Sequence, residues 1–356
     1  MYKKGIIEVQ FNWIFVLVVG AIILVFFFGF VQKQKSFAED KNAARFMNDM
    51  EAILVGAQVS KESAFPINIP RLPIEFKCDD ACLCTYGVGG VTQNYKGINI
   101  FAPDPLEGTQ MILWSKEWKF PFRVTNFIFG GSERTKYYIV YDNTQQSNQW
   151  KNVLEKNFPV NFDIEWVNMT SDLGKIQFNN YPFTKILVLD KTNIPTNFIQ
   201  NMNLIFDGEY LNVVMITGSD LIFYDKNIPT EDLHVRPAQH YFDEMGIYGA
   251  LFSKDSQMYI CNMKSALARW VQVAEVIKGR MEQLDKEGTV AQCNYNIDDI
   301  IIGPGDYYGL KNMEQSIQSI LSSDIITSGG SLLSTSMGDF RRENQLKIQS
   351  NCPSMY

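Results

Sequence analysis

Apolar residues dominate positions 11–31, FNWIFVLVVGAIILVFFFGFV, where Asn12 is the one polar side chain, and no charge falls between Glu8 and Lys33. As a helix rising about 1.5 Å per residue, such a run crosses a hydrocarbon core of roughly 30 Å. Trp13 lies near one end, where an amphipathic ring suits the membrane interface. The pattern predicts a short cytoplasmic N-terminus over 1–10 and a transmembrane helix over 11–32. A cleaved secretory signal has a shorter apolar region and a small-residue cleavage site; here the exit is Gln32-Lys33-Gln34-Lys35. At 33–62 the pattern becomes amphipathic. Phe46, Met47, Met50, Ile53, Leu54 and Ala57 recur at three- and four-residue spacing, which predicts a membrane-proximal helix. Its stripe packs either on the protein's own body or on the helix of a protein partner. Pro66, Pro70 and Pro73 then end helical structure.

Short apolar runs at 74–77, 84–88, 97–102, 110–114 and 122–129, bounded by Gly, Pro, Asn and Asp, predict a β-rich region over 63–132. The period changes after 132. KYYIVYD at 136–142, a run at 162–167, KILVLD at 185–190 and LNVVMITG at 211–218 read as buried strands, with an edge at 221–224. A helical pattern at 145–157 turns Trp150, Val153 and Leu154 inward. Strands alternating with helices predict a mainly parallel sheet, a Rossmannoid α/β domain over 133–260. Helical patterns at 262–284, 312–322 and 340–350 predict a C-terminal region, 261–356, closing that domain, with a break at Ser328-Gly329-Gly330-Ser331. The expected fold class is α/β, mixed α+β overall.

Two stretches resemble known families. Lys3-Lys4-Gly5, then Glu8 and the apolar helix, resembles the N-terminus of an archaeal type IV pilin precursor. The resemblance implies cleavage at the basic-Gly site and filament assembly, although Glu8 stands three residues past Gly5 where the family places it at the fifth. The anchor and body together resemble uncharacterised single-pass archaeal membrane proteins, which implies a topology and no activity. Residues 185–218, with Asp190, Ile194-Pro195, Phe198, Gly208 and the run at 213–218, resemble a segment of a glutamine-amidotransferase-like or flavodoxin-like Rossmannoid domain. The amidotransferase nucleophile is a cysteine, and none lies between Cys84 and Cys261, so that chemistry does not carry over.

Charge narrows the function classes. The formal net charge is −7 with no Lys/Arg-rich run, which excludes broad nucleic-acid binding. Six cysteines, Cys78, Cys82, Cys84, Cys261, Cys293 and Cys352, allow full pairing in 15 ways, free thiols, or a metal at the 78–84 cluster. That cluster lacks paired C-x2-C spacing and a nearby His. A helix over the whole of 262–284 keeps Cys261 from Cys293 unless it bends or ends early at Gly279. Asn168-Met169-Thr170 is a glycosylation sequon. Lys3 and Lys4 precede the anchor and Lys33, Lys35, Lys41 and Arg45 follow it, which by count favours a cytoplasmic body. The cysteines, the sequon and the short N-terminus favour the opposite, a body outside the membrane, and this is the expectation adopted.

Ligands of parallel α/β sheets sit at the carboxyl ends of the strands. Asp142, Asp190, Ser219 and Asp220 fall at three such ends and form the candidate ligand-binding set. Carboxylates converging there bind divalent cations or act in acid–base catalysis; Asp there also caps helices and turns. His234 and His240, six residues apart across Pro237, lack helical ligand spacing. No G-x-S-x-G elbow, phosphate loop, H-E-x-x-H or EF-hand loop occurs, so no catalytic residue, cofactor or metal is expected. The expectation is a non-enzymatic interaction or scaffold subunit of the cell envelope anchored in the lipid bilayer. The alternatives are a pilin-like assembly subunit and a degenerate Rossmannoid enzyme or ligand-binding domain.

Overall fold

The computed structural model describes residues 5–70, 72–171, 176, 181–190, 198, 210–226, 234–286, 293, 295 and 310–356. It is a mixed α/β protein. One helix, α1 (Gly5–Val59), runs unbroken for 55 residues and serves two environments. Its Trp13–Gln34 stretch has a mean hydropathy of 3.2 and buries nothing against the protein, and it is long and apolar enough to cross a membrane. Farther along, Ala43, Met47, Met50, Leu54 and Ala57 are buried. Their three- and four-residue steps put them on one face, with Phe46 and Ile53 packed beside them. The stripe that could have met a partner helix is thus spent on the protein's own body, against Phe76, Tyr86, Val88 and Ile128.

The body begins with β1 (Ser63–Asn68), β2 (Ile74–Cys78), β3 (Cys84–Val88), β4 (Val91–Asn94), β5 (Asn99–Phe101), β6 (Gln110–Lys119) and β7 (Arg123–Ser132). β2, β3 and β4 form a meander, while β1, β6, β7 and β5 form a second sheet in that order. β1 falls where the prolines were expected only to end a helix. It tolerates Pro66 because it is an edge strand, paired only to β6.

Two buried side chains lock α1 to this sheet. The last carbonyls of a helix have no intrahelical donor. Here the Ala57 carbonyl accepts from Ser115 Oγ at 2.6 Å and Asn126 Nδ2 at 3.0 Å. Asn126 Nδ2 also reaches the Ser60 carbonyl at 2.6 Å.

The third sheet contains β8 (Thr135–Tyr141), β9 (Ile164–Asn168), β10 (Phe183–Val188), β11 (Tyr210–Thr217), β12 (Asp220–Lys226), β13 (His234–Val235) and β14 (Gln239–His240). Its order is β13-β12-β11-β10-β8-β9, with β14 beside β12. β9, β8, β10 and β11 are mutually parallel. The stretch at 221–224 belongs to a hairpin with β11, turned at Gly218 in the left-handed region (φ +64°), and is not the sheet edge. α2 (Gln145–Asn157) follows β8.

α3 (Glu244–Phe252) is buried at every position after Glu244, and no apolar stripe announces it in the sequence. Gly249 lets the Phe101 ring come within 3.0 Å of where a Cβ would stand. Below its end, the buried Lys185 donates to the carbonyls of Ser253 and Lys254, a cation where a helix C-terminus favours one. α4 (Ser256–Lys286) starts ahead of the expected 262, so the 260/261 boundary falls inside a helix. α5 (Leu310–Ser322) and α6 (Gly330–Gln349) complete the chain. The Ser-Gly-Gly-Ser break is the start of α6, with Gly329 in the left-handed conformation at its cap. β7 and β8 share one core across residue 132, where Phe129, Tyr137, Phe162 and Phe252 pack together.

Disulfides join Cys78 to Cys84, Cys82 to Cys261 and Cys293 to Cys352. α4 runs straight through Gly279, so Cys261 turns to the β2–β3 loop and Cys293 to the C-terminus. Three disulfides fit an oxidising compartment.

Replacing Asn126 with Ala would strip donors from two carbonyls beside a buried site, a loss of about 1–3 kcal/mol. The full chain in detergent should show a lower denaturant midpoint for Asn126→Ala than for the natural protein. An unchanged midpoint would mean that water satisfies those carbonyls.

Candidate functional site

β8 leads through α2 to β9 on one side, while β10 lies against its other side. The strand order therefore reverses between β8 and β10. A crevice opens outside the carboxyl ends of strands at such a point. Asp142 follows β8 and Asp190 follows β10 there, both nearly buried at 3% and 8% exposure.

The local sequence Asp142-Asn143-Thr144 builds a tight turn. Asp142 Oδ1 accepts from the Thr144 amide at 2.9 Å and from its hydroxyl at 2.6 Å. Thr144 also caps α2, its Oγ1 accepting from the Ser147 amide at 3.2 Å. The same hydroxyl lies 3.0 Å from Asp190 Oδ2. A hydroxyl carries one proton, so it can serve only one of the two carboxylates at a time. Thr144 was not singled out in the sequence, though a Thr just before a helical pattern is a capping signal.

The other two candidates lie elsewhere. Ser219 and Asp220 form the β11–β12 turn and the start of β12. The Ser219 carbonyl accepts from the Tyr241 amide at 3.2 Å. Asp220 Oδ1 stands 3.1 Å from Nδ1 of His240, which engages this histidine in a pair within the sheet. The turn is tied to the first site by Gln146, whose Nε2 donates to the Gly218 carbonyl at 3.1 Å. Alongside runs a groove of about 820 Å³ lined by Gln145, Gln146, Gln149, Trp150 and Tyr241 among others, and none of the described residues lining it is charged. Amides and ring faces suit an uncharged polar ligand.

Among the described residues, the only three His, Cys, Asp or Glu groups with ligand atoms mutually within 4.8 Å are Cys78, Cys84 and Cys261, which are disulfide-bonded. The structure thus brings Asp142 and Asp190 together and does not assemble them with Asp220 into a three-carboxylate cation site. Asn168 ends the edge strand β9 and folds its Oδ1 onto the amide and hydroxyl of Thr170, at 2.9 and 2.7 Å.

A second cleft, of about 540 Å³, holds Asp243 among Lys61, Glu62, Lys116, Lys119 and Glu244. Asp243 caps α3: its Oδ1 accepts from the amides of Met245 and Gly246, and its Oδ2 from Trp118 Nε1 at 3.0 Å. Burial outweighs these donors and raises its pKa to about 6. As a cap it escapes sequence reasoning, because the helix that follows it carries no apolar stripe to mark its start. Asp104 is buried more deeply, beside Lys254 Nζ at 2.7 Å, and burial raises its pKa too.

No protein-family model, curated protein or solved structure matches the chain. The site must be read from its own chemistry.

The folded protein holds the Asp243 proton more tightly than the unfolded chain, whose carboxyl titrates near 3.8. The associated stability is complete below about pH 4 and is lost as pH rises through about 6. Asp243→Asn keeps a capping oxygen and removes the titration. Denaturant midpoints of the natural protein should fall from pH 4 to 6 relative to those of the variant; parallel pH profiles would refute the assignment.

Proposed function

We propose that this chain is a single-pass membrane protein whose body lies on the oxidising side of the bilayer and acts as a non-enzymatic interaction or scaffold subunit of the cell envelope. One observation carries the reading: α1 is continuous from its lipid-length apolar half into the half packed on the body. Removing some 20 apolar residues from lipid costs far more than salt can offset. The fully paired described cysteines support the outside placement. In this reading the parallel strands form a Rossmann-like layer closed by the C-terminal helices, and its carboxyl edge serves as a binding face.

The chain should remain with membranes through alkaline carbonate extraction, and protease added to intact cells should digest the body while sparing α1. A body protected in intact cells but digested after lysis would reverse the orientation. Recovery of the full chain in the soluble fraction would remove the anchor. Cleavage beside Gly5 with assembly into filaments would shift the reading to a pilin-like subunit.

A second reading, a Rossmannoid ligand-binding domain, is favoured by the meeting of Asp142 and Asp190 on one Thr144 hydroxyl where the strand order reverses. The scaffold reading expects no saturable heat when Mg²⁺ or Ca²⁺ is titrated into the purified protein. Saturable binding lost in both Asp142→Asn and Asp190→Asn would give the ligand-binding reading the lead.

A further inference from the structure

Two disulfides meet on the β2–β3 hairpin. Cys78–Cys84 closes the hairpin itself, and Cys82–Cys261 ties its loop to α4. The sulfurs of Cys78, Cys84 and Cys261 all lie within 4.8 Å of one another, although they belong to two different bonds. Cys82, the other half of the tie, is not part of that triangle. Cys78, Cys82 and Cys84 are partly exposed, and the loop between them, Asp79, Asp80, Ala81 and Leu83, is open to solvent. Cys261 is buried at 2% exposure.

Thiol–disulfide exchange needs a thiolate beside a disulfide sulfur and a leaving sulfur on the far side. The hairpin has both as soon as Cys78–Cys84 is opened. Neighbouring donors fit the roles. The Tyr95 hydroxyl lies 3.5 Å from Cys78 Sγ, and burial keeps its proton on, so it can donate to a thiolate there. The Gln257 amide donates to Cys261 Sγ at 3.3 Å, on the sulfur to be attacked.

We propose that Cys78, Cys82, Cys84 and Cys261 form a thiol–disulfide exchange site that accepts two electrons from an external dithiol and passes the free thiol to Cys82. The dithiol attacks Cys84 through one sulfur and is closed by its own second thiol. It leaves as a disulfide, and Cys78 and Cys84 are left reduced. The Cys78 thiolate then attacks Cys261 Sγ; the Cys78–Cys261 bond forms, the Cys82–Cys261 bond breaks, and Cys82 departs as thiolate and takes a proton. This second step involves no net oxidation. The hairpin stays tethered to α4 throughout, by Cys78 instead of Cys82, while a Cys82-x-Cys84 dithiol appears on the exposed loop. That pair can reduce a disulfide on another protein and so hand the electrons on.

The test treats the full-length protein in detergent with one equivalent of dithiothreitol, alkylates it, and maps the unreduced peptides by mass spectrometry. Label on Cys82 and Cys84 is expected in equal amounts, together with a Cys78–Cys261 linked peptide. Below the ordinary thiol pKa of about 8.5, the rate should rise about tenfold per pH unit. Label confined to Cys78 and Cys84, with Cys82–Cys261 intact, would overturn the exchange. Label on Cys78 and Cys82 would overturn the choice of Cys78 as nucleophile. Cys84→Ser gives a measurement independent of any reductant, because it leaves Cys78 as a permanent thiol. Alkylatable Cys82 should then appear in untreated protein, and a thiol found at Cys78 alone would also overturn the proposal.

Discussion

The structure depends on one constraint, that α1 begins as an apolar span touching nothing of the body and must end inside the protein. A helix leaves its last carbonyls without donors, and a buried carbonyl without one is costly. Ser115 on β6 and Asn126 on β7 supply those donors from the middle of a sheet. The latch fixes where the helix stops, and the stripe from Ala43 to Ala57 fixes which face it turns to the sheets. Ala43 stands nine helical steps beyond Gln34 on the same continuous helix, about 14 Å at 1.5 Å per residue. The body is therefore carried close to the end of the apolar span, with no linker of free length between them.

The second organising element is the buried aromatic core. Trp114, Phe129, Tyr248 and Phe252 lie at ring distances of 4.8 to 6.3 Å. They come from β6, β7 and α3, and Tyr137 and Phe162 join them from the parallel-sheet region. Two sheets with different strand patterns are thereby bound into one body around a short helix. The small residues of α3 make this fit, since a Cβ at Gly249 would stand only 3.0 to 3.3 Å from the Phe101 ring, closer than ordinary contact, and a larger side chain there would displace it.

What could be read from the sequence follows the physics of periodicity. The apolar run of α1 and the parallel strands are continuous or regular patterns, and their segments are legible as elements. α3 was not, because a helix buried on all sides has no stripe, and EMGIYGALF carries two glycines that read as loop. β1 was missed because Pro66 speaks against a strand unless one knows that the strand is an edge. Cysteine pairing was unreadable for a different reason: Cys82 and Cys261 are 179 residues apart, and only the fold brings α4 beside the hairpin. At the carboxyl edge the acidic residues were visible as types, while Thr144, the group that joins two of them, was not.

The two carboxylates at that edge differ in how much of their placement the fold explains. Asp142 sits in its own turn, beside the N-terminus of α2. Negative charge at a helix N-terminus is worth about 0.3–1 kcal/mol, and a Thr cap about 1 kcal/mol. Those gains are local, and a scaffold would keep them for stability alone. Asp190 belongs to a different strand, 46 residues from Thr144, and reaches the same hydroxyl without being part of that turn. Asp142 alone therefore says little about function. Asp190 is the residue that joins the end of β10 to a turn that Asp142 and Thr144 already complete.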